Sequence, residues 1–337
     1  MKPPAKSIER PSWYRYRWLA SMALFGTALG LAFLLVWSAW PGQTSSPATT
    51  PAAAVSTSAS PSAAESRPPT ATAAASIAQL LAGASAKNAA DWRVVRLQGN
   101  AAVLVIEFPT LLVQGQTFNR AAALLEKTGG LRQQLLTDEQ LAALLAKSGD
   151  STETYFLGHD YTANGLARFF NQAERQSIAL NPQELRLRQL LLDALILKNE
   201  AGRYSAQGEQ AVISFTALQL DNPATPQDET VDALRRESIL LHELSHGEFF
   251  TNPDYQQRSW NYWRKALTEG ERRRFRQLLA NMGYDASNEE LMVNETQALL
   301  MHTPDERAFG PANLGLNAAE FANLKLRWEH NPSSARR

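Results

Sequence analysis

The chain has no cysteine, so it forms no disulfide, holds no iron–sulfur cluster and offers no thiolate as nucleophile or metal ligand. Any transition-metal site in it must be built from histidine and carboxylates. There is no excess of charge of either sign: 33 Lys and Arg balance 33 Asp and Glu, which removes the electrostatic case for a nucleic-acid partner. Histidine is scarce, with five in 337 residues. No P-loop, G-x-G-x-x-G or G-x-S-x-G occurs, so neither a nucleotide-phosphate cradle nor a serine nucleophile elbow is indicated.

What is present divides the chain into unlike segments. Residues 1–17 carry Lys2, Lys6, Arg10, Arg15 and Arg17 against Glu9, a basic tail, and Trp18 to Trp40 then runs without a charge. A helix of that length spans roughly 34 Å, enough to cross a hydrocarbon core. Trp13, Tyr14, Tyr16 and Trp18 at one end, with Trp37 and Trp40 at the other, suit the interfacial belts. The pattern predicts a single transmembrane anchor over 18–40 with a cytoplasmic N-terminus, in a bacterial inner membrane. The remainder would then face the periplasm or the cell exterior. Trp37-Ser38-Ala39-Trp40 is a poor cleavage site, so a retained signal-anchor is expected rather than a removed signal peptide. Pro41 to Ser76 is almost wholly Ala, Ser, Thr and Pro; it buries too little to offset the entropy of ordering and is expected to be a disordered linker over 41–76. The working domain is expected over 77–331, with a flexible tail at 332–337.

Within that domain, Arg93–Leu97, a Gln98-Gly99-Asn100 turn and Ala102–Phe108 read as a hairpin. Helical spacing covers Phe118–Lys127, Leu141–Lys147 behind a Thr137 cap, Leu166–Gln172 and Pro182–Lys198. Ala211–Leu218 reads as a strand, followed by a long helix from Val231 to Phe250 and further helices over Tyr255–Lys265, Glu269–Met282, Asn288–Met301 and Ala318–Trp328. The expected class is α+β, mainly helical with a small β-sheet.

Inside the long helix stands His242-Glu243-Leu244-Ser245-His246. Residues four apart share a helical face, so both imidazoles can bind one ion. Glu243, one step round, can face a water in the ion's open position, accept its proton and pass it to a leaving amine. A catalytic zinc site has three protein ligands as a rule. The third candidate is Glu295, which with Asn294 interrupts the apolar run Leu291-Met292-Val293 and Ala298-Leu299-Leu300. Metal coordination is one reason for a carboxylate there; a surface stripe shared with Glu289 and Glu290 is the alternative. The metzincin pattern is excluded by Phe249 and Asn252, and aminopeptidase-type spacing by Lys265. His302, two turns beyond Glu295, and Tyr255 and Tyr262 are candidate donors to an oxyanion, as is Tyr204. His159-Asp160 is a polar island among aromatics and reads as a structural turn with a satisfied histidine.

His242-Glu-x-x-His246 followed by Asn294-Glu295-x-x-Ala298 on a second helix resembles the gluzincin metallopeptidases, the thermolysin-like broad class. The resemblance implies one Zn²⁺ held by His242, His246 and Glu295, Glu243 as general base, and a peptide or protein substrate. It also implies that the strand containing Ser214, Phe215 and Thr216 is the sheet edge that pairs with extended substrate. One departure stands out: thermolysin-like enzymes carry an acidic residue four positions after the ligand Glu to support a ligand His, and here that position is Leu299. The support must come from elsewhere. The function expected is a membrane-anchored zinc peptidase acting on an envelope protein or peptide. The alternatives are a zinc amidase acting on peptidoglycan and a non-catalytic envelope protein whose structural metal is closed by His302 or Glu248 as fourth ligand. Metal analysis of the zinc-supplied chain is expected to find about one zinc per chain, lost on His246→Ala; no zinc in either protein would remove the site.

Overall fold

The computed structural model describes residues 73–83, 91–126 and 134–331. The expected basic tail, the spanning segment 18–40, most of the linker and the tail 332–337 lie outside them. Among the described residues no helix is long and apolar enough to cross a membrane. The class is α+β, mostly helical with a small sheet.

The sheet grows from the hairpin. Strands β2 (Arg93–Leu97) and β3 (Asn100–Phe108) pair antiparallel. β3 then pairs in parallel with β7 (Ala211–Thr216), whose other side takes the short antiparallel strand β4 (His159–Thr162). β1 (Ala74–Ala75) adds in parallel to β2, giving the order β1-β2-β3-β7-β4. Alternation along β3 sorts its side chains. Leu104, Ile106 and Phe108 enter one core with Phe118, Leu166 and Leu190, and Val103 and Val105 enter another with Ile213, Leu240 and Leu244. A strand covered on both faces reads as a continuous apolar run, as Ala-Val-Leu-Val-Ile does here.

Helices α2 (Leu111–Leu125), α4 (Ala163–Gln176) and α5 (Pro182–Asp193) cover the first face, and α3 (Asp138–Ser148) packs Leu141 and Leu145 in a small cluster with Tyr155. The second face is covered by α6 (Ala233–Thr251), which Asp232 caps by accepting from Arg235 N at 2.8 Å. Gly247 lets α6 lie close on the sheet, since a Cβ there would stand 3.0 Å from Val103 Cγ1. The remaining helices, α7 (Pro253–Asn261), α8 (Glu269–Asn281), α9 (Glu289–His302) and α10 (Ala318–Glu329), enclose a third core around Trp263, Phe275, Met292 and Trp328.

Four expectations are corrected. Residues 74–76, expected in the linker, are structured: Ala74–Ala75 pair with β2, and Ser76 and Gln79 form a capping box for helix α1 (Ile77–Ala82). Main-chain pairing asks nothing of the alanine side chains, so composition conceals it. Helix α2 begins at Leu111 behind a Thr110 cap rather than at Phe118. Its internal Gly115 serves close approach, as a Cβ there would stand 2.1 Å from Thr152 O. The helix expected through Lys198 ends at Asp193, where the chain reverses at Leu195 with φ 57°. It continues into a second hairpin, β5 (Leu197–Glu200) and β6 (Arg203–Ala206), turning at Ala201 (φ 52°) and Gly202 (φ 82°); two positive φ values match the right-handed strand twist. The helix expected over Tyr255–Lys265 starts at Pro253 and ends at Asn261, where α7 gives way to a π-helical turn over Tyr262–Ala266.

One buried ion pair ties the sheet to α6. Arg236 Nη2 donates to Glu107 Oε1 at 2.5 Å and to Leu80 O at 3.0 Å, and its Nε donates to Thr216 O at 3.1 Å. Removing one partner strands a buried charge. Arg236→Ala is expected to lower the unfolding free energy of the chain by about 3–5 kcal/mol, read by urea unfolding. Arg236→Met combined with Glu107→Leu should recover most of the loss; an equally large loss in the double variant would contradict this account of the pair.

Candidate metal centre

Helix α6 carries two faces at once. Leu240, Leu244 and Gly247 turn to the sheet, which directs His242 and His246 away from it, toward α9. Packing of α9 onto α6 brings in Glu295, 5% exposed on an otherwise apolar helix face. His242 Nε2 stands 3.7 Å from Glu295 Oε2, and His246 Nε2 stands 3.9 Å from Glu295 Oε1. One ligand atom from each of the three lies within 4.8 Å of the others. Ligands about 2.0–2.1 Å from a tetrahedral zinc lie roughly 3.4 Å from each other, so the spacing fits a divalent ion with slight contraction. The donor set, two imidazoles and one carboxylate, suits a first-row divalent ion such as zinc.

The tautomer of His242 follows from its neighbours. The Thr303 hydroxyl donates to Ala298 O at 3.0 Å and so has only lone pairs to offer His242 Nδ1, 2.9 Å away. His242 Nδ1 therefore carries the proton and Nε2 is left bare, as a ligand requires. Thr303 fills the supporting role that Leu299 lacks. A threonine just past a helix end carries no sequence signal for this; only the packing of α9 on α6 reveals it. His246 Nδ1 has no hydrogen-bond partner among the described residues.

The electrostatics are those of a site short of positive charge. Burial, then the neighbouring His246 and His302, holds His242 well below the usual imidazole range, so it is neutral. Burial pushes Glu295 up to about 7, with His246 opposing. Burial, then the charges of Asp160 and Glu295, pushes Glu243 well above the carboxylate range. Glu243 is 7% exposed and its Oε2 has no hydrogen-bond partner among the described residues. Gly158 makes room for it: a Cβ at 158 would stand 2.3 Å from Glu243 Oε1.

Sequence reasoning missed Asp160 and the sheet edge. His159-Asp160 lies in strand β4 rather than a turn, and β4, not β7, is the last strand in the sheet. Ser214 pairs with His159 on one side and Ile106 on the other, and Ser214, Phe215 and Thr216 are buried in β7. Ser214, Phe215 and Thr216, expected at a sheet edge, thus lie in an inner strand, and the end of the sheet on this side is His159–Thr162. A four-residue strand shows too little alternation to be recognised, and strand order is non-local information. Through β4, one carboxylate oxygen of Asp160 comes within 4.8 Å of the ligand atoms of Glu243 and His246. Burial pushes Asp160 up to about 8. His159 is kept neutral, its pKa lowered to about 3 by burial, with Nδ1 3.0 Å from the Tyr161 hydroxyl.

The other candidates are engaged elsewhere. Tyr262 is buried against Trp328 and donates to Leu324 O at 2.9 Å. Tyr204 packs on Phe170, away from α6. Tyr255 donates to Gln297 Oε1 at 2.5 Å, and its oxygen lies 2.8 Å from His302 Nε2. Gln297 passes the chain on to Ser245 Oγ at 3.2 Å. His302 thus braces α7, α9 and α6, and burial lowers its pKa to about 4. Glu248 accepts from Asn100 and Asn252, both at 3.0 Å.

Thr303→Val removes the acceptor of His242 Nδ1 while preserving shape. It is expected to weaken metal binding roughly 10–100-fold, read by competition with a chelator; unchanged affinity would contradict the assigned support. Comparison of the chain with models of known protein families, with characterised proteins and with solved structures finds no match.

Proposed function

We propose that the chain is a membrane-tethered, zinc-dependent peptidase acting on a protein or peptide of the bacterial envelope. The observation that carries this reading is the convergence of His242, His246 and Glu295 with Glu243 beside them. The arrangement is similar to that of the gluzincin metallopeptidases. The tether rests on the uncharged run 18–40 behind a basic tail.

The residues divide the work. His242, with its proton fixed on Nδ1 by Thr303, and His246 and Glu295 would hold the ion. When bound, it supplies Lewis acidity to a carbonyl and makes water more acidic. Glu243 takes a proton from the attacking water and returns it to the departing amine nitrogen. Its burial beside Asp160 favours the protonated form, and a bound cation opposes that, so the base is readied only in the loaded site. Gly158 permits this position of the carboxylate, since any side chain at 158 would displace it. Strand β4 ends the sheet on this side, and an extended peptide would pair along it.

A closed structural metal would need a fourth protein ligand. Glu248 and His302, the residues able to supply one by sequence, are held by Asn100, Asn252 and Tyr255. This supports the enzymatic reading over a structural staple. A peptidoglycan amidase would use the same atoms and differs only in substrate.

Glu243→Gln is expected to abolish turnover of peptide substrates while leaving the zinc content of the chain unchanged. Turnover retained in that variant would end the proposed mechanism. Gly158→Ala should displace Glu243 and lower kcat by about 100-fold or more with zinc still bound, read by comparing steady-state rates with metal content.

A further inference from the structure

Helix α4 and the β5–β6 hairpin enclose a cavity of about 510 Å³, within the roughly 300–1,000 Å³ of pockets that take a whole small ligand. On α4 it is lined by Asn164, Arg168, Asn171 and Arg175, three or four residues apart and so on one helical face. The opposite face carries Leu166, Phe169, Phe170 and Ala173 into the core. The hairpin contributes Arg203 and Ser205. Asn171 locks the two walls together: its Nδ2 donates to Tyr204 O and its Oδ1 accepts from Tyr204 N, both at 2.8 Å. The Tyr204 ring is buried against Phe170, so Arg203 is presented from a fixed strand.

Positive charge in this cavity is unmatched. Arg175 and Arg203 take part in no ion pair and no side-chain hydrogen bond among the described residues. Arg168 has a partner of its own and stays out of the count. Glu200 is the one carboxylate lining the cavity among the described residues, and Lys198 Nζ meets it at 2.9 Å. Two unpaired guanidiniums remain. Their planar forks of N–H groups match the oxygens of a phosphate or a carboxylate, and charge separates these ligands. A phosphate monoester carries about −1.5 to −2 and three acceptor oxygens, enough for both arginines, whereas one carboxylate answers only one. The cavity is also longer than a phosphate group: Asn164 and Arg175 stand eleven residues apart on α4, roughly 16 Å along its axis. The side chains of Asn164 and Ser205 make no hydrogen bond among the described residues. They offer an amide and a hydroxyl to a polar body attached to the phosphate.

We propose that the cavity between α4 and the β5–β6 hairpin binds the phosphate monoester of a polyhydroxylated molecule, a sugar phosphate in chemical class. The phosphate sits between Arg175 and Arg203, and the hydroxyl groups turn toward Asn164 and Ser205. Binding there depends neither on a metal nor on peptidase activity.

The test titrates the full chain with glucose 1-phosphate, inorganic phosphate and citrate, read by isothermal calorimetry. Glucose 1-phosphate is expected to bind saturably at one site per chain, about tenfold or more tightly than inorganic phosphate. Arg175→Ala and Arg203→Ala should each weaken it about tenfold or more, with thermal unfolding of each variant unchanged. Arg273→Ala, at an exposed position of α8 that does not line the cavity, removes the same charge and should leave binding as it was. An equal effect of all three substitutions, or no saturable binding, would overturn the proposal. So would inorganic phosphate or citrate binding as tightly as glucose 1-phosphate, and so would binding confined to vesicles of phosphatidic acid, which would assign the arginines to a lipid surface.

Discussion

Glu243, Glu295 and Asp160 are gathered around His246 and the neutral imidazole of His242. Buried carboxylates without a counter-charge are costly, and their raised proton affinities express that cost. The arrangement makes sense as half of a complex. A divalent ion between His242, His246 and Glu295 would supply the missing charge, and the free energy of binding it would become part of the stability of the fold. The features that position the site follow from this one requirement.

The scaffold meets it by packing α6 between the sheet and α9. On one side the helix is pressed to the sheet through Leu240 and Leu244 and the close approach at Gly247, and pinned near its start by the Arg236–Glu107 pair. On the other side α9 is joined to it by Gln297 to Ser245 and by Thr303 to His242. At the end of that sheet, Asp160 of β4 and Gly158, the residue just before that strand, come against Glu243. Three segments far apart in sequence thus meet at one point, each fixed by contacts independent of the ion.

Part of this was legible in the sequence. The i, i+4 histidines lie on one helix, so local geometry alone makes them neighbours, and Glu295 stands out as a charge breaking an apolar helical face. The hairpin 93–108, the helix cap at Thr137 and the helix start at Pro182 were legible for the same reason, since their signals are local. Asp160 and Thr303 were not: one sits in a strand of four residues and the other just past a helix end, and each acquires its role through contact with a distant segment. The sheet edge was misplaced because Ala211–Thr216 has the stronger strand signal, while the order of strands depends on which partner reaches β7 from far along the chain. The end of α5 was hidden because Leu195 adopts a left-handed conformation that its side chain does not advertise.

The measurement that bears most directly on the central claim is X-ray absorption at the zinc edge of the full chain loaded with one equivalent of zinc. The account predicts two imidazole nitrogens and oxygen ligands at about 2.0–2.1 Å, with one imidazole contribution lost on His246→Ala and an oxygen contribution lost on Glu295→Ala. A spectrum unchanged by either substitution, or one with no imidazole scattering, would place the metal elsewhere and contradict the account.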